Sequence, residues 1–280
     1  MIFLRCQAVG IIVAVINNKG GVGKTTVTCN LAHALGLAGC RVLVVDLDSQ
    51  CNSTQMLLPP GVEPKHSLYE FLASEELPVS LDDCLVPTAY EGVFCVPNVA
   101  ETAALEPQLI MQAPTSFQRL RRSLREPAKQ QFDITILDNP PNIGTFVLCA
   151  LYAADFVLIP VKAGSAFSVA GLLKASRLVN EVRQQSNGDL RLLRLLINQV
   201  DRRTSISKII AAQLAAAFRP DQVFATSIPM NTLFERAELA RQTILAYAPS
   251  SSGSRAFREL ARELLAILPP SPMGLEREKA

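Results

Sequence analysis

The feature that most constrains this chain is an apolar run that breaks into a glycine loop and re-emerges as a helix. Residues 11–16 (IIVAVI) read as a buried strand, Lys19-Gly20-Gly21-Val22-Gly23-Lys24-Thr25-Thr26 follows, and residues 24–37 carry helical periodicity. A strand–loop–helix of this composition is where a phosphate-binding loop has to lie. Glycines let successive backbone N–H groups converge on phosphate oxygens, Lys24 adds positive charge, and the Thr25 hydroxyl can reach Mg2+. A turn that merely caps a helix needs the glycines but not a lysine and paired threonines.

The rest of the sequence extends the same rhythm. Strands are expected at 41–46 (RVLVVD), 132–137, 156–160 and 192–198, with a short one at 223–228. Helices are expected at 67–73, 116–125, 144–153, 165–184, 205–218 and 253–267. β-Branched runs alternating with helical segments specify an α/β fold: three layers, a mostly parallel twisted sheet with helices on both faces, as in a P-loop NTPase. Residues 50–114 hold eight prolines and read as irregular. With 280 residues, the chain is expected to form one domain over 11–268, with an N-terminal extension at 1–10 and a disordered tail at 269–280. Residues 8–16 are too short an apolar run to cross a bilayer and no cleavage site follows, so a signal peptide is not expected. Seven scattered cysteines without a CxxC pair imply neither zinc nor an iron–sulfur cluster, and most of them fit small core or surface residues in a reducing cytoplasm.

Three carboxylates stand where such a loop needs them. Asp46 ends the second strand and Asp48 lies two residues on, so both project from the carboxyl edge of the sheet, beside the phosphates. Asp138 ends the apolar strand in FDITILDNPP, before two prolines that cannot continue a sheet. An aspartate there suits Mg2+ held through its water shell.

The loop does not satisfy the ordinary GxxxxGK[ST] pattern, because position 18 is Asn18. With Lys19 ahead of the glycines it resembles the deviant Walker A motif of the ParA/MinD superfamily, and the following TVTCNLAHALGLAGCRVLVVDLDSQ extends the likeness over most of the chain. The resemblance implies an ATPase that uses ATP/ADP and Mg2+ with weak intrinsic turnover. Lys19 would cross to the nucleotide of a second copy, making ATP binding and homodimer formation one event. Asp48 would position the attacking water, while Asp46 and Asp138 would serve the metal with Thr25. Asn198 and Pro229 match positions that hold adenine. Ser49, Cys51 and Asn139 depart from the usual residues of these segments.

Within the superfamily, the absence of bridging cysteines disfavours the iron–sulfur branch. The ending PPSPMGLEREKA presents no apolar helix face for a membrane, so no membrane partner is expected. The Ala-Pro-x-Ser-x-Gly stretch at 248–253 resembles the ParA/Soj ending. That likeness implies chromosome or plasmid partition, nonspecific DNA, a ParB-like stimulator, and a cytoplasmic, nucleoid-associated location. From 171 to 220 there are nine basic residues against three acids, with Arg202, Arg203 and Lys208 where related proteins place DNA contacts. The arginines usual after Pro229 are replaced by Met230 and Thr232 to Phe234. This keeps open positioning of a protein cargo, alongside a MinD-like division-site regulator.

Overall fold

The computed structural model describes residues 10–73, 79–163, 168–201, 209, 213 and 216–268. Seven strands make one sheet: β1 (Ile11–Val15), β2 (Val42–Asp46), β3 (Val86–Pro87), β4 (Val93–Val96), β5 (Ile134–Asp138), β6 (Phe156–Lys162) and β7 (Arg191–Asn198). Their order is β3-β4-β2-β5-β1-β6-β7, and only the short edge strand β3 runs antiparallel to its neighbour. The phosphate-loop strand β1 is therefore central, flanked by β5 and β6.

Alternation along the strands explains the layers. In β1, Ile12 and Ala14 join one apolar cluster while Ile11, Val13 and Val15 join another across the sheet. The first cluster is roofed by α3 (Leu68–Ala73), α5 (Leu105–Met111), α6 (Arg119–Gln131), α7 (Thr145–Ala153) and α8 (Ser168–Gln185). α1 (Lys24–Leu37), α2 (Asn52–Leu57), and the closing helices α10 (Ile244–Tyr247) and α11 (Ser252–Ile267) cover the second. Both faces of every central strand are thus dry, which is why those strands read as unbroken apolar runs. Among the described residues no helix is long and apolar enough to cross a membrane.

The sequence misjudged some elements. The proline-rich stretch contains the parallel strand β4, paired to β2 from Val42↔Val93 to Val45↔Val96, and the small helix α4 (Leu81–Cys84). The basic helix begins later and runs through Pro127 to Gln131. Its basic residues are partly structural: Arg125 and Lys129 reach the Asp155 carboxylate at 2.5 and 2.8 Å, and that carboxylate also accepts from Ile12 N at 2.9 Å. No strand forms at 223–228. Only the isolated bridges Leu195↔Val223 and Val200↔Pro229 occur, because Ala225 N and Thr226 N donate to the Glu263 carboxylate on α11, at 2.8 and 2.9 Å. Most of 205–218, together with the extension at 1–9 and the tail at 269–280, lies outside the described residues.

A buried polar seam fastens α1 to the C-terminal segment. His33 stacks on Tyr90 at 4.2 Å and shares a 2.6 Å hydrogen bond with Thr243, whose N–H donates to the Tyr90 hydroxyl at 3.0 Å. Burial, with Arg258 nearby, lowers the His33 pKa from 6.5 to about 4. The folded state therefore resists protonation that the unfolded chain accepts below pH 6.5. Stability is full above that pH and falls as pH drops toward 4, by up to about 3 kcal/mol at 1.36 kcal/mol per unit. Urea melts at pH 7 and pH 4.5 should show this loss, and His33→Phe should reduce it; an unchanged pH slope in that variant would exclude His33 as its source.

Candidate functional site

The carboxyl ends of β1, β2, β5, β6 and β7 converge on the loop between β1 and α1. Gly21 and Gly23 adopt φ of 70° and 83°, left-handed backbone open to glycine at little cost. Gly23 is further restricted by contact: a Cβ there would stand 2.5 Å from the Asn198 amide nitrogen. That amide donates to Val22 O at 2.8 Å, and Gln199 Nε2 donates to Gly21 O at 3.2 Å, so the end of β7 braces the loop from outside. From the other side, Asn17 donates to Pro160 O at 2.7 Å and accepts from Lys19 N at 3.0 Å. Asn198 was expected at a base; its Nδ2 is on the loop and its Oδ1 accepts from Gln199 N at 2.9 Å. Pro229 lies beside Val200, where Met230 N donates to Val200 O at 3.0 Å.

Below the loop lies a compact charged cluster. Lys24 is buried, with its ammonium 3.4 Å from Lys19 O. Burial lowers its pKa, while Asp138 and Asp48 pull the other way. Asp46 and Asp138 are register partners on β2 and β5 and are fully buried. Burial first, then the neighbouring Asp138, raises Asp46 to about 7. Asp138 is also raised, by burial, against the hydroxyls of Ser53 and Thr25 and the charge of Lys24. Two buried carboxylates side by side disfavour double ionisation, so this place favours an added cation.

The two aspartates differ in their partners. Asp138 receives hydroxyls from Ser53, Thr25 and, at 3.2 Å, Thr28. Asp46 accepts from Thr54 N at 2.9 Å, Thr54 Oγ1 at 2.7 Å and Asp48 N at 3.1 Å. Its oxygens thus hold the segment between β2 and α2 in shape. Asp48, also buried, accepts from Gln50 N at 3.0 Å. Cys51, the residue ahead of α2, is left-handed at φ 56°, which for a side chain costs about 1–2 kcal/mol and explains why glycine suits this position.

A carboxylate with a threonine hydroxyl beside it is an oxygen donor set suited to Mg2+, a small hard cation that retains waters and shares phosphate oxygens. Among the described residues no group of three or more His, Cys, Asp or Glu forms a metal site unaided. The structure therefore brings together Lys19, Gly20, Gly21, Val22, Gly23, Lys24, Thr25, Thr26, Asp46, Asp48, Asp138 and Asn198 at one sheet edge. Arg202, Arg203 and Lys208 lie outside the described residues. Thr28, Ser53 and Thr54 were missed. Thr28 alone had a signal, standing one helical turn after Thr25. Glu238 was missed too: on α9 (Leu233–Leu239), it accepts from the Thr26 hydroxyl at 2.6 Å across 212 positions of sequence.

Known proteins resemble this chain in sequence and in fold. The model of the AAA domain family matches residues 10–192. The chromosome-partitioning ATPase Soj of Thermus thermophilus is 38% identical over 256 residues, covering 91% of this chain and 95% of that protein. The sporulation initiation inhibitor protein Soj of Bacillus subtilis is 34% identical over 257 residues, covering 92% and 99%. A Mycobacterium smegmatis structure described as cobyrinic acid a,c-diamide synthase with bound ADP and magnesium superposes with a TM-score of 0.75. It is 32% identical and covers 91% of this chain and 94% of that one. With its glycine loop preceded by Lys19, its strand-end aspartates and these relatives along almost its whole length, the chain belongs to the ParA/Soj family of partition ATPases within the ParA/MinD superfamily.

Proposed function

We propose that this chain is a Mg-ATP-dependent switch that pairs with a second copy when ATP is bound, holds DNA without reading its sequence, and lets go after hydrolysis. The observation that carries the reading is the cluster of Lys24, Thr25 and Asp138 under a glycine loop that a further lysine, Lys19, precedes. Lys24 and the loop N–H groups from Gly20 to Thr26 would hold the β- and γ-phosphates of ATP. Thr25 and Asp138 would hold Mg2+, which supplies charge neutralisation on those phosphates. Asp46 serves the metal indirectly, by fixing Asp48 and Thr54. Asp48, anchored at Gln50 N, orients a water toward the terminal phosphate. Asn198 and Gln199, which brace the loop, and Pro229, which lies beside Val200, would border the base. The domain is read as 11–268, the copies as a homodimer in the cytoplasm, associated with the nucleoid.

Support for DNA as the held surface comes from the basic excess between 171 and 220 and from the similarity to the chromosome-partitioning ATPase Soj of Thermus thermophilus. A ParB-like protein would stimulate hydrolysis. If Arg202, Arg203 and Lys208 of both copies contact phosphates, six charges are neutralised. The slope of log K against log salt would then be about −5. Arg202→Ala with Arg203→Ala should weaken ATP-dependent DNA retention and flatten that slope by about 3 to 4. Filter binding between 50 and 300 mM salt with ATP and with ADP tests this. Retention equal in both nucleotides, or a slope unchanged in the double variant, would remove DNA or these arginines from the scheme.

A further inference from the structure

Helix α1 begins without a cap of its own. Gly23 precedes it and has no side chain to cap it, and its first turn holds no acidic residue. That bareness suits a phosphate site, because the unpaired N–H groups and the positive end of the helix dipole are left for an anion. An anion is nevertheless present, and it comes from 212 positions along the chain. The Glu238 carboxylate on α9 accepts from the Thr26 hydroxyl at 2.6 Å, within that first turn.

Thr26 follows Thr25, the residue suited to Mg2+, so it stands where a loop of this kind meets the inner phosphates of a nucleotide. A carboxylate there takes a hydroxyl that a phosphate oxygen would use, and its charge opposes the phosphate. Among the described residues no lysine, arginine or histidine is ion-paired with Glu238 to offset that charge. The contact is also built to give way. Glu238 is exposed, and α9 spans seven residues of which Ala237 alone is buried. A cavity of about 460 Å³ opens beside the contact, bordered by Thr25, by α2 and by Glu238 and Arg241, so the carboxylate has room to turn away.

We propose that Glu238 is an autoinhibitory anion, which occupies the phosphate loop of the nucleotide-free chain through Thr26 and has to leave before the inner phosphates of ADP or ATP settle there. This rests on the switch reading only in placing nucleotide phosphates at this loop. Calorimetric titration of the full chain with Mg-ADP, at 50 and at 500 mM salt, keeps the pairing of copies out of the test. Glu238→Gln leaves an acceptor for Thr26 and removes the charge. It should bind Mg-ADP about three- to tenfold tighter at 50 mM salt. At 500 mM that gain should shrink to less than about twofold, because exposed charges are screened there. Glu238→Ala, lacking both charge and acceptor, should gain at least as much, and circular dichroism checks that both variants are folded. Affinity unchanged in Glu238→Gln at 50 mM salt would overturn the proposal. Weaker binding would overturn it too, by making the carboxylate a contact of the bound nucleotide. So would a gain equal at both salts, since charge is the claimed cause. If neither the unmodified protein nor the variants bind Mg-ADP, it is the nucleotide reading of the loop that fails.

Discussion

Lys19→Ala is expected to bind ATP and remain a monomer. Its backbone stays useful, since Lys19 O receives the Lys24 ammonium and Lys19 N is held by Asn17, and alanine preserves both contacts. What disappears is one charge-assisted hydrogen bond per copy, worth roughly 1.5–3 kcal/mol each. A symmetric dimer loses two of them at once, so its dissociation constant should rise by about 10² to 10⁴. Sedimentation velocity with saturating Mg-ATP, set against analogue binding to the monomer, measures both quantities. Unchanged dimers in the variant would show that the lysine does not cross between copies.

Asp48→Ala separates the other half of the cycle. The carboxylate is buried at the mouth of the cluster, anchored through its own N–H to Asp46 and through one oxygen to Gln50 N, so its geometry is set before any water arrives. Removing a positioned base or water-orienting group typically costs about 10² to 10⁴ in rate. Phosphate release should drop by that factor while ATP-dependent dimers persist and outlive those of the unmodified protein. Turnover within twofold of normal would take Asp48 out of the chemistry. Asp46→Ala should behave differently: it frees Thr54 and the segment before α2, and is expected to loosen the fold as well as the site.

Much of this was legible in the residues because the loop chemistry is local. Strand, glycines, Lys24 and helix follow one another within a few positions, and the expected bounds of α1 match the observed Lys24–Leu37. Strand-end aspartates were legible for the same reason. What stayed hidden depends on distant segments meeting. Ser53 and Thr54 matter only because α2 folds back over the ends of β2 and β5, and nothing in NST announces a contact with Asp138 85 positions away. Glu238 at Thr26 is more distant still. β4 was masked by prolines on either side of a four-residue run, VFCV, too short to show a period. The 223–228 stretch had strand composition, but Glu263, ion-paired to Arg194 at 2.8 Å, takes the N–H groups that a ladder would need.

The most direct test of the central claim is the mass of the unmodified protein in solution as nucleotide is changed. Light scattering after size exclusion, with saturating Mg-ATP and with Mg-ADP, should give about twice the 30.4 kDa chain mass in the first case and the single chain in the second. A single-chain mass under saturating Mg-ATP, in a preparation shown to have bound the nucleotide, would contradict the claim that ATP occupancy dictates pairing.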